Sequence, residues 1–169
     1  MTVNDLQRLY DYGYWANGRL FPVVSRLTPE EFIQPLAGSH GSIRNTLVHM
    51  LSAEWGSLSR CGGPQRGAAL KAEDYPTLES LVQTWGRVEA CVREFLSNLN
   101  DPAIARIAEF TNPRGEKRSM PVGELLQHAA NHGVHQRGQI SLLLRMRGHA
   151  PEDFDLLLYD AEKRGVPAW

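Results

Sequence analysis

Six histidines distinguish this chain of 169 residues, and four of them fall between His128 and His149. At about 100° per residue, His132 shares one helix face with His128, while His135 lies about 60° to one side. Neutral imidazole is the commonest protein ligand for metals, and side chains three or four residues apart on a helix can meet one ion. This spacing therefore indicates a metal site.

The same helix face carries side chains that a helical bundle would turn inward, namely Leu125, Gln136, Gln139, Leu143 and Met146. The opposite face is predicted to hold Gln127, Ala130, Val134, Arg137, Ser141 and Arg145. Buried polar groups cost free energy unless they are hydrogen-bonded or bound to a metal. The alternative to a metal site is therefore a set of hydrogen-bonded histidines in a core or cleft.

Amphipathic spacing, caps and breakers predict the helices that position these residues. The predicted long helices cover residues 3–26, 42–61, 77 or 80 to 99, and 121–147, with a short helix at 152–163. A small hairpin or an irregular loop is expected over residues 107–120. Four long helices with one longer crossover predict an all-α four-helix bundle, folded as a single domain over residues 1–169.

The helix predicted over residues 42–61 contributes one further histidine, His49. It points away from the apolar stripe of that helix, among small and polar neighbours, which on periodicity alone favours an exposed side chain. Small neighbours also allow another helix to approach closely, so a position facing a cavity stays open. Periodicity does not decide between the two positions of His49.

Composition excludes several classes of function. The net charge of −1 gives no electrostatic footprint for nucleic acid. No apolar run approaches the roughly 20 residues that span a bilayer, and the N-terminus does not read as a secretory signal. Cys61 and Cys91 are too few for a disulfide framework and are interpreted as reduced packing thiols. The sequence thus predicts a cytoplasmic protein without nucleic-acid or membrane partners.

Four motifs, taken in order and spacing, give the chain its resemblance to a known family. They are Tyr14–Asn17, Gly41–His49, Arg60–Gly63 and Asn131–Ile140. The sequence resembles the DinB/YfiT-like superfamily of bacterial four-helix-bundle proteins over nearly its whole length. The resemblance implies an up-down-down-up bundle with a small insertion before the last long helix.

The resemblance also implies a divalent metal, commonly nickel or zinc, held by three side chains in a cleft. His49 and His132 match two of the family's ligand positions. The third ligand is usually the histidine before Arg-Gly-Gln, where this chain has Gln136, and amide oxygen is a poor ligand beside imidazole. We predict His49, His132 and His135 as the metal ligands. Gln136 as a weak ligand, His128, and loss of the metal are the alternatives.

Some relatives use a low-molecular-weight thiol, which implies a thiol S-transferase, while a hydrolase would use the same ligands with water. A bound metal ion lowers the pKa of a coordinated thiol or water. The expected partners are a small-molecule substrate or thiol and a second copy in a homodimer. Glu54 is a candidate acid or base, or an ordinary salt-bridged residue or one at the cleft rim. The alternative to an enzyme is a non-enzymatic stress-associated binding or dimerisation module with a degenerate, metal-free histidine site. Gln136, at the usual ligand position, favours this alternative.

Overall fold

Seven helices and one two-stranded hairpin make up the part of the chain that the computed structural model describes, which is residues 1–65, 67–112 and 114–168. The helices are α1 (Val3–Val24), α2 (Pro29–Ile33), α3 (Ile43–Arg60), α4 (Leu78–Ser97), α5 (Asp101–Ile104), α6 (Val122–Arg145) and α7 (Leu156–Arg164). The hairpin consists of β1 (Ile107–Thr111) and β2 (Lys117–Pro121), and a short 3-10 turn covers Ala72–Asp74. The predicted set of long helices is confirmed.

Side-chain caps fix where the long helices begin. The hydroxyl of Thr2 accepts a hydrogen bond from the backbone of Asp5, whose carboxylate binds the Thr2 amide in return. Ser42 caps α3 and Thr77 caps α4 in the same way, by accepting from a backbone amide three residues later. Each cap satisfies an amide that the first helical turn leaves without an intrahelical partner.

The long helices pack so that α6 contacts both α1 and α3, while α4 contacts the same two helices from the other side. Helices α3 and α6 run antiparallel. The end of α3 meets the start of α6, where the Cys61 thiol lies 3.8 Å from the carbonyl oxygen of Val122. Aliphatic side chains such as Leu47, Leu126 and Leu144 are fully buried between the helices. The up-down-down-up order stays a prediction.

The segment before α6 is a hairpin, which decides between the two alternatives left open by the sequence. Its strands pair antiparallel from Ile107 opposite Pro121 to Thr111 opposite Lys117. The Asn112 side chain holds the connection by accepting from the backbone amides of Arg114 and Glu116, at 2.9 and 3.0 Å. Strand β1 contacts α3 and strand β2 contacts α6, so the hairpin forms a wall beside these two helices.

The inner and outer faces predicted for the last long helix differ from the structure at several positions, including His128, which was expected on the inner face and is exposed. Arg137 was expected on the outer face but is only 4% exposed, because α6 packs against two helices and so buries two faces. Met146, expected on the inner face, is 74% exposed because it lies just beyond the last turn of α6. Within the described residues, no helix is both long and apolar enough to cross a bilayer.

Candidate metal centre

Helices α3 and α6 bring two histidines together. The Nε2 atoms of His49 and His132 lie 3.0 Å apart, and their rings meet edge to face at 68°. Both side chains are half-buried. Of the two positions that periodicity left open for His49, the structure shows the one that faces a cleft, since α6 approaches α3 on the side that carries the small residues Ser52 and Ala53.

A third imidazole reaches the pair from the loop before α3. The ring of His40 stacks on that of His49 with 3.7 Å between centroids. The preceding residue, Ser39, has a backbone φ of 48°, a region that non-glycine residues rarely adopt. Its hydroxyl lies 2.8 Å from the amide oxygen of Gln139 and 2.8 Å from the hydroxyl of Thr46. These contacts with α3 and α6 hold the loop over the pair.

The other two predicted candidates on α6 have exposed side chains. The amide nitrogen of Gln139 donates to Nε2 of His135, at 3.0 Å, and the His135 side chain is exposed. His128 is also exposed, with its ring centroid 6.1 Å from that of His132. Among the described residues, no group of three or more histidine, cysteine or carboxylate side chains is already arranged around one metal position.

Gln136 occupies the position where the family resemblance places a histidine. Its side chain is 3% exposed, and its amide oxygen has no hydrogen-bond partner among the described residues. It lies four residues after His132, so both side chains start from the same side of α6. A buried oxygen without a partner is costly, so contact with a cation or a water would stabilise this position.

The electrostatics of the cluster favour neutral imidazole. Burial, followed by the neighbouring rings of His40 and His132, lowers the pKa of His49 to about 4. The pKa of His132 is lowered by burial and by the surrounding histidines, and the pKa of His40 by burial and by His135. Unprotonated imidazoles keep a nitrogen lone pair, which is the form that binds a metal.

The distance between the two Nε2 atoms also fits a shared ion. Two imidazole nitrogens, each about 2.0–2.1 Å from one ion and separated by an angle of about 90–110°, lie about 2.8–3.4 Å apart. The observed 3.0 Å between His49 and His132 falls in that range. The donor chemistry of two imidazoles suits nickel or zinc.

A cleft of about 520 Å³ opens beside the histidine pair, between α3, α6 and the hairpin. The α3 side chains along it are His49, Ser52, Ala53, Ser57 and Arg60. The α6 side chains are Leu125, His128, Ala129 and His132, and the remaining wall is formed by Ala69, Phe110 and Met120. The cleft is of the size that binds small molecules in other proteins. It ends at the histidine pair on one side and at Arg60 on the other.

A second polar cluster lies between α1, α3 and α6. The Tyr14 hydroxyl donates to the Glu54 carboxylate at 2.7 Å. Burial raises the pKa of Glu54 to about 7, although Tyr14 and the Arg137 guanidinium act in the opposite direction. Glu54 borders a small cavity lined also by Tyr10 and Arg137, which it does not share with the histidine pair. Glu54 therefore lies between the helices and does not line the cleft beside the histidines.

Arg137 completes that cluster from α6. Its guanidinium donates to the side-chain oxygen of Asn17 at 3.4 Å and lies 5.5 Å from the centre of the Tyr12 ring. Glycines leave room for it, since a Cβ atom at Gly133 would lie 3.2 Å from one guanidinium nitrogen and one at Gly13 3.7 Å. Gly133, four residues before Arg137, is the feature of the sequence that could have predicted an arginine pointing inward.

The two cysteines take no part in either cluster. Cys61 is buried, and burial raises the pKa of its thiol to about 12. A thiol that stays protonated is a poor nucleophile and a poor metal ligand. The interpretation of Cys61 as a packing residue agrees with this environment.

The described structure is a mainly helical fold with a histidine pair in a cleft between two antiparallel helices. A model of the DinB family matches residues 1–165, and the chain belongs to that family. The chain is 27% identical over 164 residues to protein DinB of Bacillus subtilis (strain 168), covering 90% of this chain and 92% of that protein. The fold is also similar to the crystal structure of a DinB-like protein from Bacillus cereus ATCC 10987. That match has a TM-score of 0.66 and 21% identity, and it covers 90% of this chain and 97% of the other.

Proposed function

We propose that this protein binds a divalent metal ion, nickel or zinc, and acts on a small molecule as a metal-dependent hydrolase or thiol S-transferase. The observation that supports the proposal most directly is the 3.0 Å separation of Nε2 in His49 and His132, from helices that are far apart in sequence. A pair of deprotonated imidazoles facing each other is the arrangement that a shared cation stabilises.

Three side chains form the proposed ligand set. His49 and His132 contribute the pair, and His135 is the proposed third ligand, because it adjoins Gln136, the position where the resemblance places a histidine. For His135 to join, its Nε2 must give up the hydrogen bond from Gln139. His40 competes for the same role, because it already stacks on His49 and its side chain is exposed.

The bound cation would supply Lewis acidity and lower the pKa of a water or thiol that it coordinates. The chain's own contribution is position and environment. The cleft beside the pair holds the substrate next to the two imidazoles, and its apolar walls, Phe110, Met120 and Leu125, exclude water from the bound molecule. Glu54 contributes indirectly, by tying α1 to α3 through Tyr14.

Elemental analysis of untagged protein, grown without added metal, tests the proposal. We expect close to one nickel or zinc ion per chain in the wild type and roughly a tenth of that or less in His132→Ala, because removal of a ligand from a three-ligand site weakens it severely. His149→Ala is the matched control, because it removes an imidazole that lies beyond α6 and does not line the cleft, and it should keep the metal. Absence of metal from the wild type, even after reconstitution, would contradict the proposal.

A second candidate function is a non-enzymatic binding or dimerisation module with a metal-free histidine site. Gln136 favours it, because this chain has an amide at a position where the resemblance places a ligand. In that case His49 and His132 simply share a hydrogen bond, and chelation would leave the unfolding midpoint of the wild type unchanged. The homodimer stays a prediction for both functions, and light scattering on the purified protein would test it.

A further inference from the structure

We propose that the cleft selects an elongated organic anion, with its reactive group at the histidine pair and its negatively charged group at Arg60. The proposal rests on the proposed function, since it names the class of substrate for that same site. The observations that support it are the shape of the cleft and the placement of its charges.

The cleft follows one face of α3 from His49 to the last residue of the helix, Arg60. The α3 positions that line it lie three or four residues apart, which places them on one side of the helix. The eleven residue steps from His49 to Arg60 correspond to about 16.5 Å along the helix axis. The lining residues between them, Ser52, Ala53 and Ser57, are small, so the floor is open along its length. A ligand that fills this space is therefore long and narrow.

The walls of the cleft are apolar, and the charged side chain that lines it lies at one end. Phe110 and Met120 of the hairpin face Leu125 and Ala129 of α6 across the cleft. Arg60 is the one permanently charged side chain among the described residues that line it, and no described carboxylate does so. An apolar ligand body with a terminal anion matches this distribution, whereas a cationic group would meet the guanidinium at one end.

The guanidinium of Arg60 is positioned but not neutralised. Its Cζ lies 5.2 Å from the centre of the Phe110 ring, which holds it against the hairpin wall. Among the described residues, no carboxylate forms an ion pair with it. Other arginines of the chain do form ion pairs, among them Arg8, Arg19, Arg93, Arg118 and Arg145. A planar guanidinium without a carboxylate partner recognises an anionic ligand through two parallel hydrogen bonds.

Calorimetric titration with biphenyl-4-carboxylate and with its neutral amide tests the inference. The carboxylate should bind wild-type protein saturably and about tenfold more tightly than the amide. Arg60→Gln should remove that preference while leaving the amide's affinity unchanged. Arg60→Lys, which keeps the charge, should retain part of the preference. Arg26→Gln, a change at an exposed arginine outside the cleft, is the matched control and should bind both compounds as the wild type does.

Metal content, measured on the same samples, separates this inference from the proposed function. Arg60→Gln should keep the metal of the wild type, and chelation should leave the effect of Arg60 on carboxylate binding in place. Equal affinity for carboxylate and amide, or an unchanged preference in Arg60→Gln, would overturn the inference while leaving the metal site intact. Carboxylate binding that disappears on chelation but survives Arg60→Gln would also overturn it, because the anion would then lie at the metal.

Discussion

The two polar clusters inside the bundle solve the problem of buried polar groups in opposite ways. The Glu54 cluster contains an acid, a phenol and a guanidinium, so unlike groups interact within the chain: Tyr14 donates to Glu54, and Arg137 donates to Asn17. The Nε atom of Arg137 is the one buried polar atom of this cluster without a hydrogen-bond partner among the described residues. The histidine cluster contains donors and acceptors of one kind only, His40, His49 and His132, whose positive charges would repel one another. The first cluster therefore pairs most of its polar groups within the chain, whereas we propose that the second is stabilised by binding a cation.

The pH dependence of the two clusters follows the same contrast. The folded pKa of Glu54 is raised above its ordinary value of 4.5 to about 7, so its contribution to stability is lost as pH rises through that window. The folded pKa of His49 is lowered from 6.5 to about 4, so its contribution is present above pH 6.5 and is lost as pH falls through that window. As pH rises, the contribution of Glu54 to stability therefore falls and that of His49 increases.

Removing the arginine of the Glu54 cluster should have the largest effect on stability. Arg137→Ala strips the guanidinium from a buried position and leaves Asn17 and Glu54 without it, which should lower the free energy of unfolding by about 3 kcal/mol. Denaturant unfolding in the presence of a chelator measures this. Arg145→Ala, at an exposed arginine near the end of the same helix, should change it by less than about 0.5 kcal/mol. A small loss for Arg137→Ala would mean that the cluster contributes little to the fold.

Removing the third ligand should weaken metal binding without unfolding the protein. His135→Ala should lower nickel affinity about 30-fold, equivalent to about 2 kcal/mol. His40→Ala should lower it by less than about threefold, and competition with a chromophoric chelator gives both values. The reverse order would move the third ligand from α6 to the loop before α3. Equal affinity in both variants and the wild type would remove both histidines from the ligand set.

Neutralising Glu54 should change how stability depends on pH. Because the folded protein binds a proton at Glu54 that the unfolded chain has released, the contribution of Glu54 to wild-type stability falls between about pH 4.5 and about pH 7. Glu54→Gln lacks this loss, so relative to the wild type it should gain on the order of 1–2 kcal/mol between about pH 5 and about pH 8. Unfolding curves at several pH values, with chelator present, measure the difference. A difference that does not vary with pH would place Glu54 in a solvated environment.

The hydrogen bond between Tyr14 and Glu54 should contribute the smallest of these effects. Tyr14→Phe should cost about 1 kcal/mol of unfolding free energy, the typical net value of such a bond. Tyr10→Phe is the matched control, since the Tyr10 hydroxyl donates instead to the backbone carbonyl of Leu126, 3.2 Å away. Both variants should lose similar stability, but only Tyr14→Phe should raise the pH at which Glu54 titrates. If the stability of the two variants depended on pH in the same way, the hydrogen bond from Tyr14 would not affect the pKa of Glu54, contrary to the prediction.

The sequence predicted the elements well because their signals are local. Ser42 caps α3, and the Asn112 turn lies within the segment expected to be a hairpin or a loop. The long helices end within a few residues of the predicted bounds, with α6 beginning at Val122 because Pro121 still belongs to β2. Local caps and breakers suffice for such features.

The composition of the site was harder to predict because it depends on packing. A prediction from one apolar stripe assumes that the helix buries a single face. Helix α6 buries two faces, so Arg137 lies inside. His128 and His135 are exposed. His49 was assigned to a ligand position by the family resemblance, not by periodicity. His40 was missed, since its position over His49 depends on the path of a loop with an unusual backbone angle at Ser39.

Titration of nickel into metal-free wild-type protein, followed by calorimetry, tests the central claim most directly. The claim is that the histidine cluster is a cation site and the Glu54 cluster is not. We predict saturation at one ion per chain, lost in His49→Ala and kept in Glu54→Gln. Absence of saturable binding to the wild type, or binding that survives His49→Ala, would contradict the account.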